Sequence, residues 1–493
     1  MSKTEPNGAI TTELTDVQAV LDSDDPERVF EDPYLTAAAI WRSDGDSDHE
    51  RACNAVKDSE LNTNSYRKRV KDRASELERD EREPEDTGPA EVPEPENPDV
   101  TLVDVRETVL DNFDPRAWRL TEAYLCTVGT LLLNDPVHCA AMVAEGPSSS
   151  GKGTVLSFFD GLDGLLYRSD SFTEAAMTSH YTDQDQVGEN DLLPKVRHRA
   201  LSVKDMSTQF SGDRDRVDSF MAMLANVMDG KGYTRDTGAQ GSHGYEGDYR
   251  FALLGATTPL PPRAWSAMGH VGPRLLFHEN PGGDSRQTVR DQIWSEQGTY
   301  TERIAECQQA VTDFMLALWH ENGGYGSVRW DNDPTEQVQN RLTLLADLVA
   351  HGRAPVYDDE NGHPEGGQPE EPHRVASSLK DIARARALIH GRDTVGMSDL
   401  NLCARVSLST IPRRRRQLVR YLVDPTTTVK DITRSDVAGA TGVSPPTAGQ
   451  RMRLMDAIGI GNFRTVGEQG TEYLDVRPEF RNLFGDDLPL PEL

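Results

Sequence analysis

The segment Ala144 to Thr154, AEGPSSSGKGT, constrains this chain more than any other stretch. It fits G-x-x-x-x-G-K at Gly146, Gly151 and Lys152. It follows the apolar run CAAMVAE and precedes the helical pattern TVLSFFDGL, and strand, glycine turn and helix in succession are the context that motif needs. Glycines let successive backbone N–H groups turn inward, a helix N-terminus adds its dipole, and the ammonium of Lys152 reaches phosphate oxygens. The implied ligand is ATP, held by Gly146, Ser148, Ser149, Ser150, Gly151, Lys152, Gly153 and Thr154. The usual pattern wants Ser or Thr directly after the lysine as a ligand for magnesium (Mg2+); here Gly153 intervenes and the hydroxyl arrives at Thr154. The competing reading, a chance glycine turn, explains neither flanking element.

Further apolar runs, Arg199 to Lys204, Arg250 to Ala256 and Pro273 to Glu279, read as strands separated by helical patterns. That alternation predicts an α/β fold with a parallel three-layer sheet. A chain of 493 residues holds three or so domains. We divide it into an N-terminal tail and helical region (1–77, polar and frayed to about residue 30), a linker (78–100), the α/β core (101–290), a helical region with an acidic loop at 358–372 (291–424), and a C-terminal module (425–493). The linker is assigned from ERDEREPEDTGPAEVPEPENP, which has too few apolar residues to fold.

The charge balance is strongly acidic, 82 Asp and Glu against 52 Lys and Arg, and ten of the basic residues are lysine. This profile resembles proteins of salt-accumulating haloarchaea. In molar salt the Debye length is about 3 Å, so net charge says little about distant partners and a local basic patch can still meet DNA, though counterion release then contributes weakly. An acidic protein that avoids nucleic acid remains the alternative on charge alone. The five cysteines are scattered, with no metal-ligand spacing and no disulfide framework. No apolar run reaches the ~18 residues of a membrane span and no signal pattern opens the chain, so the expectation is a cytoplasmic protein without a membrane partner.

From the glycine loop onward, about Arg116 to Leu422, the order of features resembles AAA+ ATPases, especially the helicase-like ATPases of plasmids and viruses and more remotely the minichromosome maintenance helicases. The resemblance implies a P-loop AAA+ core with a helical lid, in a self-associating ring that is typically a hexamer. RALSVKDM then carries the Walker B aspartate as Asp205, a magnesium ligand with Thr154, and RFALLGATTP carries sensor 1 at Thr258, which orients the attacking water. Arg274, before the run LLFHE, takes the place of the arginine finger, and Arg374, opening HRVASSLKDIARARALIHG, takes that of sensor 2. In this reading Lys152, Asp205, Thr258, Arg274 and Arg374 carry catalysis. One departure stands out: Met206 follows Asp205 where many relatives place a water-activating glutamate, which leaves the general base unassigned. The tetrapeptide GKGT also occurs in adenylate kinases, but a small-molecule kinase leaves the rest of the pattern without a role.

Two segments are candidates for DNA. DGKGYTRDTGAQGSHGYEGDYR sits where ring helicases carry a pore hairpin, with Lys231 and Tyr233 as its basic and aromatic contacts; a plain surface loop is the alternative. TRSDVAGATGVSPPTAGQRMRLMDAIGIGNFR has helix, Gly442-Val443 turn, Ser444 cap and a proline-opened second helix, and resembles winged helix-turn-helix domains. That places Thr447, Gln450, Arg451 and Arg453 on the recognition helix. The run Arg413 to Arg416 suits either phosphates or the acidic surface. Two functions follow: a helicase or translocase in replication of a haloarchaeal replicon, virus or mobile element, or an ATP-gated DNA-binding regulator or loader that does not unwind.

Overall fold

The computed structural model describes residues 12–43, 47–59, 61–81, 91–178, 191–237, 241–271, 274–282, 294, 298–360, 364–467 and 470–492. The chain splits into two compact units, Met1–Gly88 and Pro89–Leu493. In the first, helices α1 (Leu14–Leu21), α2 (Tyr34–Ser43), α3 (Ser47–Asp58) and α4 (Thr63–Glu81) enclose Val17, Val29, Ala38, Cys53, Val56, Tyr66 and Val70. The frayed stretch expected up to residue 30 is therefore corrected for residues 12–30; residues 1–11 lie outside the described residues. Leu14, Val17, Val20 and Leu21 recur at helical spacing, which gives the segment an apolar stripe to bury.

The second unit runs α5 (Leu102–Asn112), α6 (Pro115–Gly129), β1 (Ala140–Glu145), α7 (Lys152–Ser157), β2 (Leu166–Ser169), β3 (Ala200–Val203), α8 (Arg214–Val227), β4 (Gly232–Thr237), β5 (Gly241–Glu246), β6 (Ala252–Thr257), α9 (Pro262–Val271) and β7 (Leu276–Glu279). Strands β2, β3, β6, β1 and β7 form one sheet in that order, and every pairing in it is parallel. Parallel sheets are buried on both faces, and β1 shows it: Met142 and Ala144 face one apolar cluster, Ala141 and Val143 another. The first cluster takes in α5, α6 and α7; the second takes in α8 and α9.

Next come α10 (Tyr300–Glu321), α11 (Glu336–Arg353), the short pair β8 (Val356–Asp358) and β9 (Pro364–Gly366), α12 (His373–Ile389), α13 (Leu400–Ser409) and α14 (Arg413–Val423). The last segment holds β10 (Ile432–Thr433), α15 (Arg434–Thr441), α16 (Pro445–Ala457), β11 (Gly461–Val466) and β12 (Thr471–Val476), with sheet order β10-β12-β11. The first apolar cluster continues through α10 to α14 into Val437, Met452, Leu474 and Phe480, so this C-terminal part shares one core with the sheet.

Two expectations change here. The acidic loop 358–372 begins inside a hairpin, β8 with β9, and Gly366 of that hairpin lies against the end of α16: a Cβ there would sit 1.7 Å from the Ala457 carbonyl oxygen. The linker's final ten residues are seated on α10. The Glu96 and Asn97 N–H groups donate to Asp313 at 2.9 and 3.2 Å, and Val92 and Val100 pack on the core. Composition could not reveal this, because the acceptor lies over 200 residues away in the chain. Residues 82–90 of the linker lie outside the described residues.

Candidate functional site

Strand β1 ends at Glu145 and the chain bends through Gly146 to Gly151 into α7. The Gly146 N–H donates to the Thr257 carbonyl at 3.2 Å, tying the bend to the end of β6, and Asn280 Nδ2 donates to the Ser150 carbonyl at 2.6 Å, tying it to the end of β7. Position 146 accepts only glycine, since a Cβ would meet the Asn280 carbonyl oxygen at 2.1 Å. Ser149 and Gly151 take φ values of 62° and 86°, turns that aim successive amides to one side.

Lys152 opens α7 and is 8% exposed. Its Nζ donates to the carbonyls of Gly146 (2.8 Å) and Pro147 (2.5 Å) and to Ser150 Oγ (3.1 Å). Burial lowers its pKa, and the nearby Asp205 carboxylate opposes that shift. Among the described residues this ammonium has carbonyl and hydroxyl partners alone, which an anionic ligand could replace.

A cavity of about 900 Å³ opens beside the loop, lined by Ser148 to Thr154 together with Asp160, Asp170, Lys204, Asp205, Thr258 and Ile304. The parallel sheet accounts for this gathering. Loop, Thr258, Asp205 and Asp170 follow the C-terminal ends of β1, β6, β3 and β2, which are consecutive neighbours, so four sequence segments meet along one edge. Asp205 Oδ1 accepts from the Ser207 N–H at 2.8 Å and also pairs with the Ser207 hydroxyl. Thr258 is half-buried, and its carbonyl accepts from the Thr257 hydroxyl at 3.0 Å. Thr154 lines the cavity, but its hydroxyl lies 2.5 Å from that of Tyr300, two helical positions on from Lys152.

A smaller cavity of about 430 Å³ flanks the other side of the loop, lined by Arg116, Ser148 to Ser150, Glu279, Asn280 and Arg413. Behind it Arg416, 2% exposed, pairs with Glu145 at 2.9 Å and Glu279 at 2.7 Å, the last residues of β1 and β7. The arginine run thus divides: Arg413 faces the loop, Arg415 donates to the Gly352 and Ala354 carbonyls, and Arg416 is buried as a counter-charge.

Arg274 and Arg374 lie at the opposite end of the sheet. Arg374 Nη1 is 2.9 Å and Arg274 Nε 3.4 Å from the same Asp229 oxygen, and Arg274 also donates to the Ala225 carbonyl at 3.1 Å. Asp229 follows Met228, whose carbonyl accepts from Cys139, the residue before β1, so this cluster marks the N-terminal edge. A six-residue strand spans roughly 20 Å. Arg374 is therefore remote from its own chain's loop, and its assignment as a nucleotide contact within one chain is corrected. Lys231 and His138 belong to the same neighbourhood: the guanidinium groups of Arg374 and Arg274 and the Lys231 ammonium all push the His138 pKa down, after burial, against Asp229.

The DNA candidates fare unevenly. Strands β4 and β5 form an antiparallel hairpin with Tyr233 opposite Tyr245; its tip, residues 238–240, and the Arg235 side chain lie outside the described residues. Lys231 at its foot is exposed, whereas Tyr233 and Tyr245 pack on the core and the Tyr245 hydroxyl donates to Asp191 at 2.9 Å. On α16, Gln450 is exposed, and Thr447 is half-buried with its hydroxyl 2.9 Å from that of Ser444, which stands at the N-cap position but makes no side-chain capping bond to a backbone N–H. Arg453 is bound to buried Glu472 at 2.6 Å and lies over the Phe463 ring. Arg451 is half-buried near Arg414. Arg453 is thus turned toward β11 and β12, which helical spacing alone cannot show.

The sequence reading missed Asn280 and Tyr300, and it left Arg413 and Arg416 undivided within one basic run. A rule that inspects the residue after every strand would have found Asn280, which stands after β7 as Thr258 stands after β6. Nothing local signals Tyr300.

These features define the class: a mixed α/β protein whose five-stranded parallel sheet is compatible with a P-loop-like core. No protein-family model and no curated protein matches the chain. Among solved structures it is weakly similar to the X-ray structure of JCV helicase, at 14% identity over 63% of this chain and 87% of that one with a TM-score of 0.22, and to JCV helicase with an inhibitor bound, at 13% identity with the same coverage and TM-score. No described helix is long and apolar enough to cross a membrane.

Proposed function

We propose that this chain binds and hydrolyses ATP as an AAA+ protein acting on DNA, in the manner of a ring helicase or translocase. The observation that carries the reading is the meeting of Lys152, Asp205 and Thr258 in one cavity at the mouth of a strand-to-helix bend. The amides of Ser148 to Gly153 and the Lys152 ammonium receive the phosphates, and Thr258 orients water. Magnesium fits through Asp205, whose Oδ2 has no partner among the described residues; Thr154 joins it only by leaving Tyr300. Few protein ligands suffice, because magnesium keeps waters and shares phosphate oxygens, neutralising charge that develops there. Arg274 and Arg374, two cations on one carboxylate, serve a neighbouring chain's triphosphate, which the distance from their own loop favours. Helices α11 to α14 act as the lid, with Arg413 in place of Arg374 beside the loop. Residues 432–476 act as a winged helix whose DNA contacts are Gln450 and Thr447, and the hairpin contributes Lys231.

The regulator reading is favoured by one observation: Met206 stands where a base is expected and is wholly buried. A strand-displacement assay separates the two. Unwinding that requires ATP and disappears in Lys152→Ala supports the motor; ATP-dependent duplex affinity without unwinding supports the regulator. Native mass measurement with and without ATP in high salt tests the hexamer, and a monomer under both conditions removes the role given to Arg274 and Arg374.

A further inference from the structure

We propose that Asp170 is the general base of the ATP hydrolysis proposed above, supplied from the strand beside the one that ends in Asp205. The inference rests on that reading of the phosphate loop.

The position that a glutamate would fill after Asp205 cannot serve. Met206 is 0% exposed, its N–H donates to the Ala256 carbonyl at 2.8 Å, and its side chain lies over Gly255, where a Cβ would meet the sulfur at 2.5 Å. This residue is turned between β3 and β6 into the core, so even a carboxylate in its place would point away from the cavity. A base has to come from another strand end.

Three carboxylates line the large cavity: Asp160, Asp170 and Asp205. Asp205 is engaged by Ser207 and is the magnesium candidate. Asp160 lies beyond α7 and is neutralised by Arg168 at 3.0 Å. Asp170 is exposed and has no ion pair among the described residues. Ser169 pairs with Val203, so Asp170 falls opposite Lys204, one residue from Asp205. Adjacent strands are about 4.8 Å apart, so this carboxylate stands one strand beyond the metal candidate on the same edge as Thr258. The Ser169 hydroxyl bonds the Ser171 carbonyl at 2.9 Å and fixes the turn that presents it.

In the step assigned to it, a water oxygen forms a bond to the γ-phosphorus. The bond from that phosphorus to the β–γ bridging oxygen breaks, and its electron pair leaves with ADP. Asp170 takes the proton released by the water and returns it to solvent. General-base catalysis of this kind contributes roughly 10²–10⁴-fold.

The test uses the full chain with ATP and magnesium, and measures equilibrium nucleotide binding and single-turnover hydrolysis for wild type, Asp170→Asn, Asp170→Glu, Asp160→Asn and Lys152→Ala. Asp170→Asn is expected to bind ATP as wild type does and to lose about 100-fold or more in turnover, so that uncleaved ATP accumulates on the protein, with partial rescue in Asp170→Glu. Full turnover in Asp170→Asn, loss in Asp160→Asn instead, or a wild type that binds ATP without cleaving it overturns the assignment of the base alone. A wild type whose ATP binding is absent or indifferent to Lys152→Ala overturns the phosphate-loop reading and this proposal with it.

Discussion

The two ends of the parallel sheet carry the same kinds of side chain in opposite states. At the C-terminal edge, Lys152 is solvated only by loop carbonyls and a hydroxyl, Asp205 has one unpartnered oxygen among the described residues, and a large cavity separates them. At the N-terminal edge, Arg274 and Arg374 already share Asp229. Helix N-termini and strand ends concentrate polar groups at the first edge, so it can receive a ligand within one chain. At the second edge two guanidinium groups share the single Asp229 carboxylate, with Glu370 also acting on Arg274. The difference is what the proposed function reads as a binding site at one edge and a surface offered to a neighbouring chain at the other.

The strongest test of that contrast is Arg274→Ala. If the edge works in trans, ATP affinity stays within twofold while turnover falls by about 10³, the low end for an arginine finger. Mixing this variant with Lys152→Ala chains should then restore part of the activity, because each supplies what the other lacks. An affinity loss equal to the turnover loss, with no rescue on mixing, would mean the edge only stabilises the fold.

At the opposite edge, Lys152→Ala removes a charge-assisted contact of about 1.5–3 kcal/mol, so nucleotide affinity should fall ten- to hundredfold in fluorescence titration. Asn280→Ala removes one neutral bond that holds the loop, about 0.5–1.5 kcal/mol, and a loss of about three- to tenfold is expected. If Asn280→Ala equalled Lys152→Ala, preorganisation of the loop would outweigh its charge, and the contrast between the edges would have to be redrawn.

How much of this was legible in the sequence follows from distance along the chain. The strand-to-helix bend from Glu145 to Lys152 was legible because strand, glycines, lysine and helix lie within about fifteen residues and each has a local cause. Asp205 and Thr258 were legible as polar residues closing apolar runs. Arg374 was misread because its helix was recognised but its seat was not: only the packing of α12 puts its first turn beside Asp229. Arg453 failed likewise, since Glu472 lies on a strand that follows. The four adjacent arginines read as one patch, yet helical rotation sends one to the loop, one to backbone carbonyls and one into the core between Glu145 and Glu279. Asp170 carried no motif, and became visible only when β2 was found beside β3.

The smallest expected effect concerns the N-terminal edge again, where Asp381 of α12 is buried with Lys380 at 3.7 Å and Asp135 and Arg384 nearby. Burial pushes its pKa up to about 7, with the Asp135 charge adding to it and Lys380 and Arg384 opposing. The folded state therefore holds this proton more tightly than the unfolded chain, whose aspartate titrates near 4. The stabilisation from protonation is complete below that lower value and is lost as pH rises through about 7. Asp381→Asn mimics the protonated form, so its Tm should exceed wild type by about 2–4 °C at pH 8 and match it near pH 4. An equal Tm difference at both pH values would show that the neighbouring cations already compensate the charge, and that this edge is as fully satisfied around Asp381 as it is around Asp229.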